Sequence, residues 1–217
     1  MNIEQARFNM IEQQIRPWDV LDPAVLSLLA VVRREDFVPP AYRAMAFVDT
    51  EVPLPEGQCM LAPRVEARLL QELAIHKHER VLEVGAGSGF MAALLAHRAQ
   101  HVTTLEKRPV LARMASANLR RAGVMNAMVR EADGSRGLPG DAPFDVILLS
   151  GSVAEVPQQL LDQLKVGGRL AAVVGQQPIM QAMLFTRGSE QGFANVVLFD
   201  TVAPRLTGFD EPSRFVF

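Results

Sequence analysis

The sequence predicts an α/β fold: a doubly wound, mostly parallel sheet with a C-terminal antiparallel pair and a helical N-terminal extension. Three observations predict it. Short apolar runs alternate with helical patterns from residue 81 to residue 174, and such alternation builds a parallel sheet with helices on its faces. A Gly-x-Gly-x-Gly turn follows the first of those runs. Two late apolar runs flank the polar stretch Arg187-Gly188-Ser189-Glu190-Gln191-Gly192, which reads as the turn of an antiparallel pair.

Taken in order, Ile3 to Ile15 carries apolar residues at helical spacing and stops before Pro17. Asp22-Pro23 opens a second helix, with Asp22 as N-cap and Val25, Leu28, Leu29 and Val32 as its apolar face. Arg33-Arg34-Glu35-Asp36 reads as a solvated charge run. The Pro-rich stretch 49–57 reads as an irregular loop that covers a site. A helix over 63–74 leads to strand 81–84, helix 88–98, strand 101–106, helix 109–122 and strand 126–131. Strand 144–149, helix 157–165 and strand 169–174 follow, with Gly167-Gly168 as the turn before the last. Runs 180–186 and 194–202 form the terminal pair. The division expected is an extension and covering loop over 1–63 and one compact unit over 64–217.

Composition narrows the class. The chain is 49% hydrophobic and 21% charged, enough to bury a core. A net charge of -2 gives no electrostatic case for nucleic acid. No apolar run reaches the length of a membrane span, and the N-terminus lacks the basic-then-apolar pattern of a signal peptide. The single cysteine, Cys59, fits a reducing compartment. These features point to the cytoplasm, with no membrane or nucleic-acid partner. They leave the oligomeric state open, with a monomer favoured.

The chemistry centres on Arg80-Val81-Leu82-Glu83-Val84-Gly85-Ala86-Gly87-Ser88-Gly89-Phe90. A strand, a tight glycine turn and a helix start bring backbone close to a ligand, with unpaired N–H groups aimed at its anionic part. Ser88 reads as the helix N-cap. A dinucleotide fingerprint needs its third glycine where Phe90 stands. The pattern present, Glu83 followed by Gly85, Gly87 and Gly89, resembles the first motif of Rossmann-like S-adenosylmethionine (SAM) methyltransferases. Two later acids support that reading. Glu106, beside Lys107, ends a second strand about 20 residues on, the place for a carboxylate that accepts ribose hydroxyls. Asp133-Gly134 follows a third run, where the resemblance implies contact with the adenine amino group.

Arg34-Glu35-Asp36-Phe37-Val38-Pro39, Ala41-Tyr42 and Val52-Pro53-Leu54-Pro55-Glu56-Gly57-Gln58 are similar to the protein-L-isoaspartate O-methyltransferase family. So are the opening Arg7 to Ile15, with Met10 and Gln13-Gln14, and the downstream Pro143-Phe144-Asp145 and Gly167-Gly168-Arg169-Leu170. The resemblance spans nearly the whole chain. It implies SAM as cofactor, S-adenosylhomocysteine as product, and a protein or peptide substrate with a free carboxylate. Cofactor residues implied are Glu83, Gly85, Gly87, Gly89, Glu106, Lys107, Asp133 and Gly134. An anionic acceptor and an activated methyl need alignment and exclusion of water, not a general base.

The acceptor side departs from the family pattern. After Gly-Gln the family reads Thr-Ile-Ser-Gln-Pro; here Gln58 is followed by Cys59-Met60-Leu61-Ala62-Pro63. Leu61 holds the place of the family serine and cannot donate a hydrogen bond. Ser150-Gly151-Ser152-Val153-Ala154-Glu155 replaces an Ala-rich turn. A second function therefore stands beside isoaspartyl repair: a SAM-binding homologue that acts on another substrate, or senses SAM or engages a partner. Cys59 is a weak candidate nucleophile and reads better as an inert thiol, since no histidine lies near it in sequence. His76, His78, His97 and His101 show no metal-ligand spacing, so no metal is expected; His76 and His78 read as surface residues. Met91, Met114, Met125, Met128, Met180 and Met183 read largely as core filling. Arg205 and Thr207 read either as pocket residues or as a surface loop.

Overall fold

The computed structural model describes residues 2–211. Its centre is a seven-stranded sheet in the order β5-β4-β3-β6-β7-β8-β9. The strands are β3 (Arg80–Val84), β4 (His101–Glu106), β5 (Ala127–Glu131), β6 (Phe144–Val153), β7 (Leu164–Gln176), β8 (Ile179–Arg187) and β9 (Phe193–Asp200). Pairing is parallel from β5 across to β7 and antiparallel from β7 to β9. From β3 the chain winds outward to β5, then returns to lay β6 on the other side of β3. That reversal is the topological switch point, where the C-terminal ends of the strands leave a crevice.

Period-two alternation sends the strands' side chains to two separate cores. Val81, Val102, Val146 and Leu148 join α2 (Pro23–Val31), α3 (Pro63–Leu73) and α4 (Phe90–Arg98) on one face. Leu82, Val84, Leu105, Ile147 and Leu149 pack with Leu160, Leu161 and Phe209 on the other. The N-terminal segment belongs to the first core, through buried Met10, Ile15, Val25, Leu29, Phe37 and Phe47. Leu54, within residues 49–57, packs on Gly87 of the glycine turn, and two short strands, β1 (Val52–Pro53) and β2 (Cys59–Met60), pair on either side of residues 55–57.

Glu83 sits on the first face, fully enclosed in the sheet. Its two oxygens accept from Thr104 Oγ1 on β4 and Ser150 Oγ on β6, each at 2.6 Å. One carboxylate thus ties the central strand to both neighbours. Burial pushes Glu83 up to about 7 against those two hydroxyls, with the charges of Glu66 and Glu106 adding to the rise.

Several elements differ from expectation. Ile3 to Ile15 is α-helical only over α1 (Ile3–Met10) and widens to a π-turn over Ile11–Ile15, then tightens at Arg16–Trp18. A regular helix would drive the Pro17 ring into the carbonyl four residues back. The Arg33–Asp36 run is not solvated as a whole: Arg34 and Glu35 are 1% and 2% exposed. Arg34 turns inward to Glu66 on α3 and donates to the Leu61 carbonyl at 2.8 Å, while Glu35 pairs with Arg7 on α1. Burial becomes affordable because each charge meets its opposite. Helix α4 starts at Phe90 with Gly89 at its cap, not Ser88, which is buried. Helix α6 covers only Gln158–Leu161 because Leu164 already pairs with Phe144. Gly167-Gly168 lies inside β7, beside a register shift between Phe144 and Val146, where an added Cβ on Gly168 would meet the Asp145 carbonyl at 2.9 Å. Met125 and Met128 are exposed rather than core; Met91 and Met180 are buried. His76 and His78 lie at the surface, as expected.

Two outcomes follow from these buried charges. Arg34→Met should cost about 3–5 kcal/mol in urea unfolding by leaving Glu66 buried and unpaired, whereas Arg34→Met with Glu66→Leu should recover most of that loss; equal losses would mean that the pair does not matter. Glu83 has a folded value above the ordinary carboxylate value, so the native state holds extra protons between about 4.5 and about 7. Its contribution to stability is therefore full at low pH and lost as pH rises through about 7. The unfolding midpoint should fall between pH 5 and pH 8, and Glu83→Gln should flatten that fall by on the order of 1–3 kcal/mol.

Candidate functional site

Two connected cavities occupy the crevice at the strand ends. The outer cavity, on the Glu106 side, is lined by Gly85, Gly87, Glu106, Lys107, Gly134, Ser150, Leu206 and Thr207 among others. The inner cavity, on the Glu66 side, is lined by Cys59, Leu61, Glu66, Glu83, Ser88, Phe90 and Ser150 among others. Gly85, Gly87, Cys59 and Ser150 line both.

The glycine turn is built from backbone that only glycine adopts without strain: φ is +96° at Gly85, +52° at Gly87 and +84° at Gly89. Glu106 ends β4 and is 5% exposed. Its Oε2 accepts from the Gly87 N–H at 2.9 Å and its Oε1 from the Arg108 N–H at 3.0 Å. Both oxygens keep lone pairs free for a diol in the outer cavity. Gly134 packs so closely on Val84 that a side chain there would collide with it. Asp133 lines neither of these cavities but a separate one with Ser135, Arg136 and Phe209; it accepts from Lys107 Nζ at 2.6 Å and from the Ser135 N–H at 3.0 Å. Those bonds, the Lys107 ammonium first, hold its carboxyl down at about 2.

The candidate cofactor residues Glu83, Gly85, Gly87, Gly89, Glu106, Lys107, Asp133 and Gly134 all sit at the C-terminal ends of β3, β4 and β5. Not all reach a cavity: Gly89 packs at 3.1 Å (as a would-be Cβ) from the Ala115 carbonyl, under the turn. Glu83 reaches only the inner cavity, with both oxygens already engaged.

On the acceptor side, Leu61 is 6% exposed and lines the inner cavity. Cys59 Sγ lies 3.4 Å from Glu51 Oε2. Burial, then the Glu51 charge, pushes the thiol up to about 12, so it stays protonated and weakly nucleophilic at neutral pH. Leu54 packs on the glycine turn from the covering loop. From the other side comes the segment 203–209. The Ser152 N–H donates to the Pro204 carbonyl at 2.7 Å and the Leu206 N–H to the Ser152 carbonyl at 2.9 Å. This seats Leu206 against Gly85 and Gly151. Thr207 lines the outer cavity, while Arg205 turns away to the Gly175 carbonyl and to Glu211.

Sequence reasoning missed Arg34, Glu66, Thr104, Ser150 and Leu206. Thr104 and Ser150 had a usable signal: each is a hydroxyl at the end of a strand beside β3. Glu66 had none, since one acid in an amphipathic helix reads as solvated.

Comparison with known proteins agrees with this geometry. A family model described as protein-L-isoaspartate (D-aspartate) O-methyltransferase matches residues 5–201. Protein-L-isoaspartate O-methyltransferase 1 of Syntrophobacter fumaroxidans is 38% identical over 190 residues, 88% of this chain and 89% of that one. Protein-L-isoaspartate O-methyltransferase of Methanoculleus marisnigri is 43% identical over 169 residues, 78% of this chain and 77% of that one. A Plasmodium falciparum structure, provisionally described as the same kind of enzyme and solved with S-adenosyl-L-homocysteine, is 20% identical. It superposes with a TM-score of 0.77 over 94% of this chain and 97% of that one, which shows a shared fold. The glycine turn, the buried Glu106 and the closely packed Gly134 fit SAM, the cofactor of this family. By sequence and by fold, then, the chain belongs to the protein-L-isoaspartate (D-aspartate) O-methyltransferase family, a family of SAM-dependent O-methyltransferases.

Proposed function

We propose that the chain moves a methyl group from SAM to a free carboxylate on a protein or peptide, the isoaspartyl residue of a damaged protein. The observation that carries this is the match over residues 5–201, which takes in the N-terminal third as well as the glycine turn and the acids at 83, 106 and 133. In this reading residues 1–63 cover the site and 64–217 hold the cofactor. Glu106 accepts the ribose hydroxyls, Asp133 and Gly134 border the adenine, and the glycine turn takes the amino-acid end. SAM supplies the activated methyl. The protein aligns the acceptor oxygen and keeps water away with Leu54, Leu61 and Leu206, which pack around the turn. No proton has to be removed from the acceptor. The setting proposed is the cytoplasm; no helix among the described residues is long and apolar enough to cross a membrane.

A second reading has its own observation. Leu61 and Cys59 present no free hydroxyl toward the inner cavity, and Cys59 is engaged with Glu51. An acceptor other than isoaspartate, or a binding role without turnover, would suit such a wall.

Labelled SAM and an isoaspartyl peptide separate the two. The native chain should form methyl ester, and Cys59→Thr with Leu61→Ser should raise kcat/KM by about tenfold or less, the worth of a hydrogen bond or so. No ester from the native chain, with ester from the double variant, would favour the second reading. Glu106→Ala should weaken S-adenosylhomocysteine in calorimetry by about tenfold or more, because hydrogen bonds to a charged acceptor are lost. Unchanged affinity would remove Glu106 from the cofactor site.

A further inference from the structure

Glu66 is the one strongly buried acid at the site that the reading above leaves without work. It is 4% exposed on α3 and lines the inner cavity. One oxygen, Oε2, takes the Arg34 guanidinium. The other, Oε1, takes no hydrogen bond among the described residues and is not sealed from solvent, which leaves it free on the cavity side. An unpaired acceptor that borders a cavity is matched by a ligand that brings a donor, best of all a cation.

The cavity's other charged side chain is Glu83, which already receives two hydroxyls. No Lys or Arg lines this cavity among the described residues. The inner cavity is thus walled by two carboxylates, of which only Glu66 has an oxygen to offer. It adjoins the outer cavity through Gly85, Gly87 and Ser150. A cofactor with its ribose at Glu106 would reach the inner cavity if its amino-acid end ran past those residues. We propose that Glu66 accepts the α-ammonium group of the cofactor's amino-acid end, as a binding residue on the covering side of the site. Arg34 is then a positioning residue: it holds Glu66 and the Leu61 carbonyl in one arrangement. This rests on the SAM reading and adds to it a residue outside the glycine-turn motif.

Titration gives an independent handle. The charged and titratable groups facing Glu66 are Arg34, Glu83 and Cys59, with Glu106 beyond Glu83. Burial pushes Glu66 up to about 7 against the Arg34 guanidinium. It is therefore charged above that pH and loses its charge below it.

The test compares S-adenosylhomocysteine with its deaminated analogue, which keeps the carboxylate and lacks the amine, by calorimetry on the full chain. Glu66→Gln should weaken S-adenosylhomocysteine about tenfold or more and leave the analogue within about twofold. On the native chain, with no substitution, the preference for the amine-bearing ligand should shrink severalfold from pH 8 to pH 6, and in Glu66→Gln that pH dependence should be reduced. Equal weakening of both ligands, or none of either, would overturn the proposal, as would a preference that is flat with pH in the native chain. Failure of the native chain to bind S-adenosylhomocysteine at all would instead overturn the SAM reading on which it stands.

Discussion

The structure depends on one carboxylate in the wrong place for a charge. Glu83 stands in the middle strand, fully enclosed, and its register opposite Thr104 brings a hydroxyl to it from β4. Ser150 brings the second from β6. A buried acid survives only when it is hydrogen-bonded or neutralised, and here both remedies are at hand. The consequence is geometric. The three strands that meet at the switch point are pinned at the end where the glycine turn departs. Gly85 leaves β3 from a fixed position, and the Gly85 and Ala86 N–H groups donate to the Leu105 carbonyl at 2.8 and 3.1 Å. Glu106, one residue further on, then reaches the Gly87 N–H.

That pinning also concentrates negative charge. Glu66, Glu83 and Glu106 surround the turn, and Arg34 is the buried cation paired with one of them. Burial is the first cause of the rise at Glu83, and the charges of Glu66 and Glu106 add to it. Such a field favours a ligand that carries positive charge into the crevice. A sulfonium does so, and its loss on methyl transfer removes that attraction from the product.

Much of this could be read from residues alone, and the parts that could not share a cause. The strands β3, β4 and β6 were legible because a fully buried parallel strand is a short apolar run between turn residues. The acids at 83, 106 and 133 were legible because strand ends are where α/β sheets bind ligands. Arg34 and Glu35 were illegible because their partners lie 32 and 28 residues away, on α3 and α1. A run of four charged residues carries no sign of which will turn inward. The glycine pair at 167–168 was misread for a related reason: a turn and a bulge demand the same residue, and only the crowding by the Asp145 carbonyl distinguishes them.

The acceptor side sets the harder question of what has taken over from the lost hydroxyls. Leu61 contributes no side-chain donor, and its carbonyl is consumed by Arg34. Cys59 is turned to Glu51, and burial keeps its thiol protonated. A carboxylate acceptor in the inner cavity would meet Glu66 and Glu83 rather than a cation. The residues at 59 and 61 leave the covering wall without a hydroxyl, while the glycine turn keeps its positive-φ backbone and Glu106 keeps its hold on the Gly87 N–H.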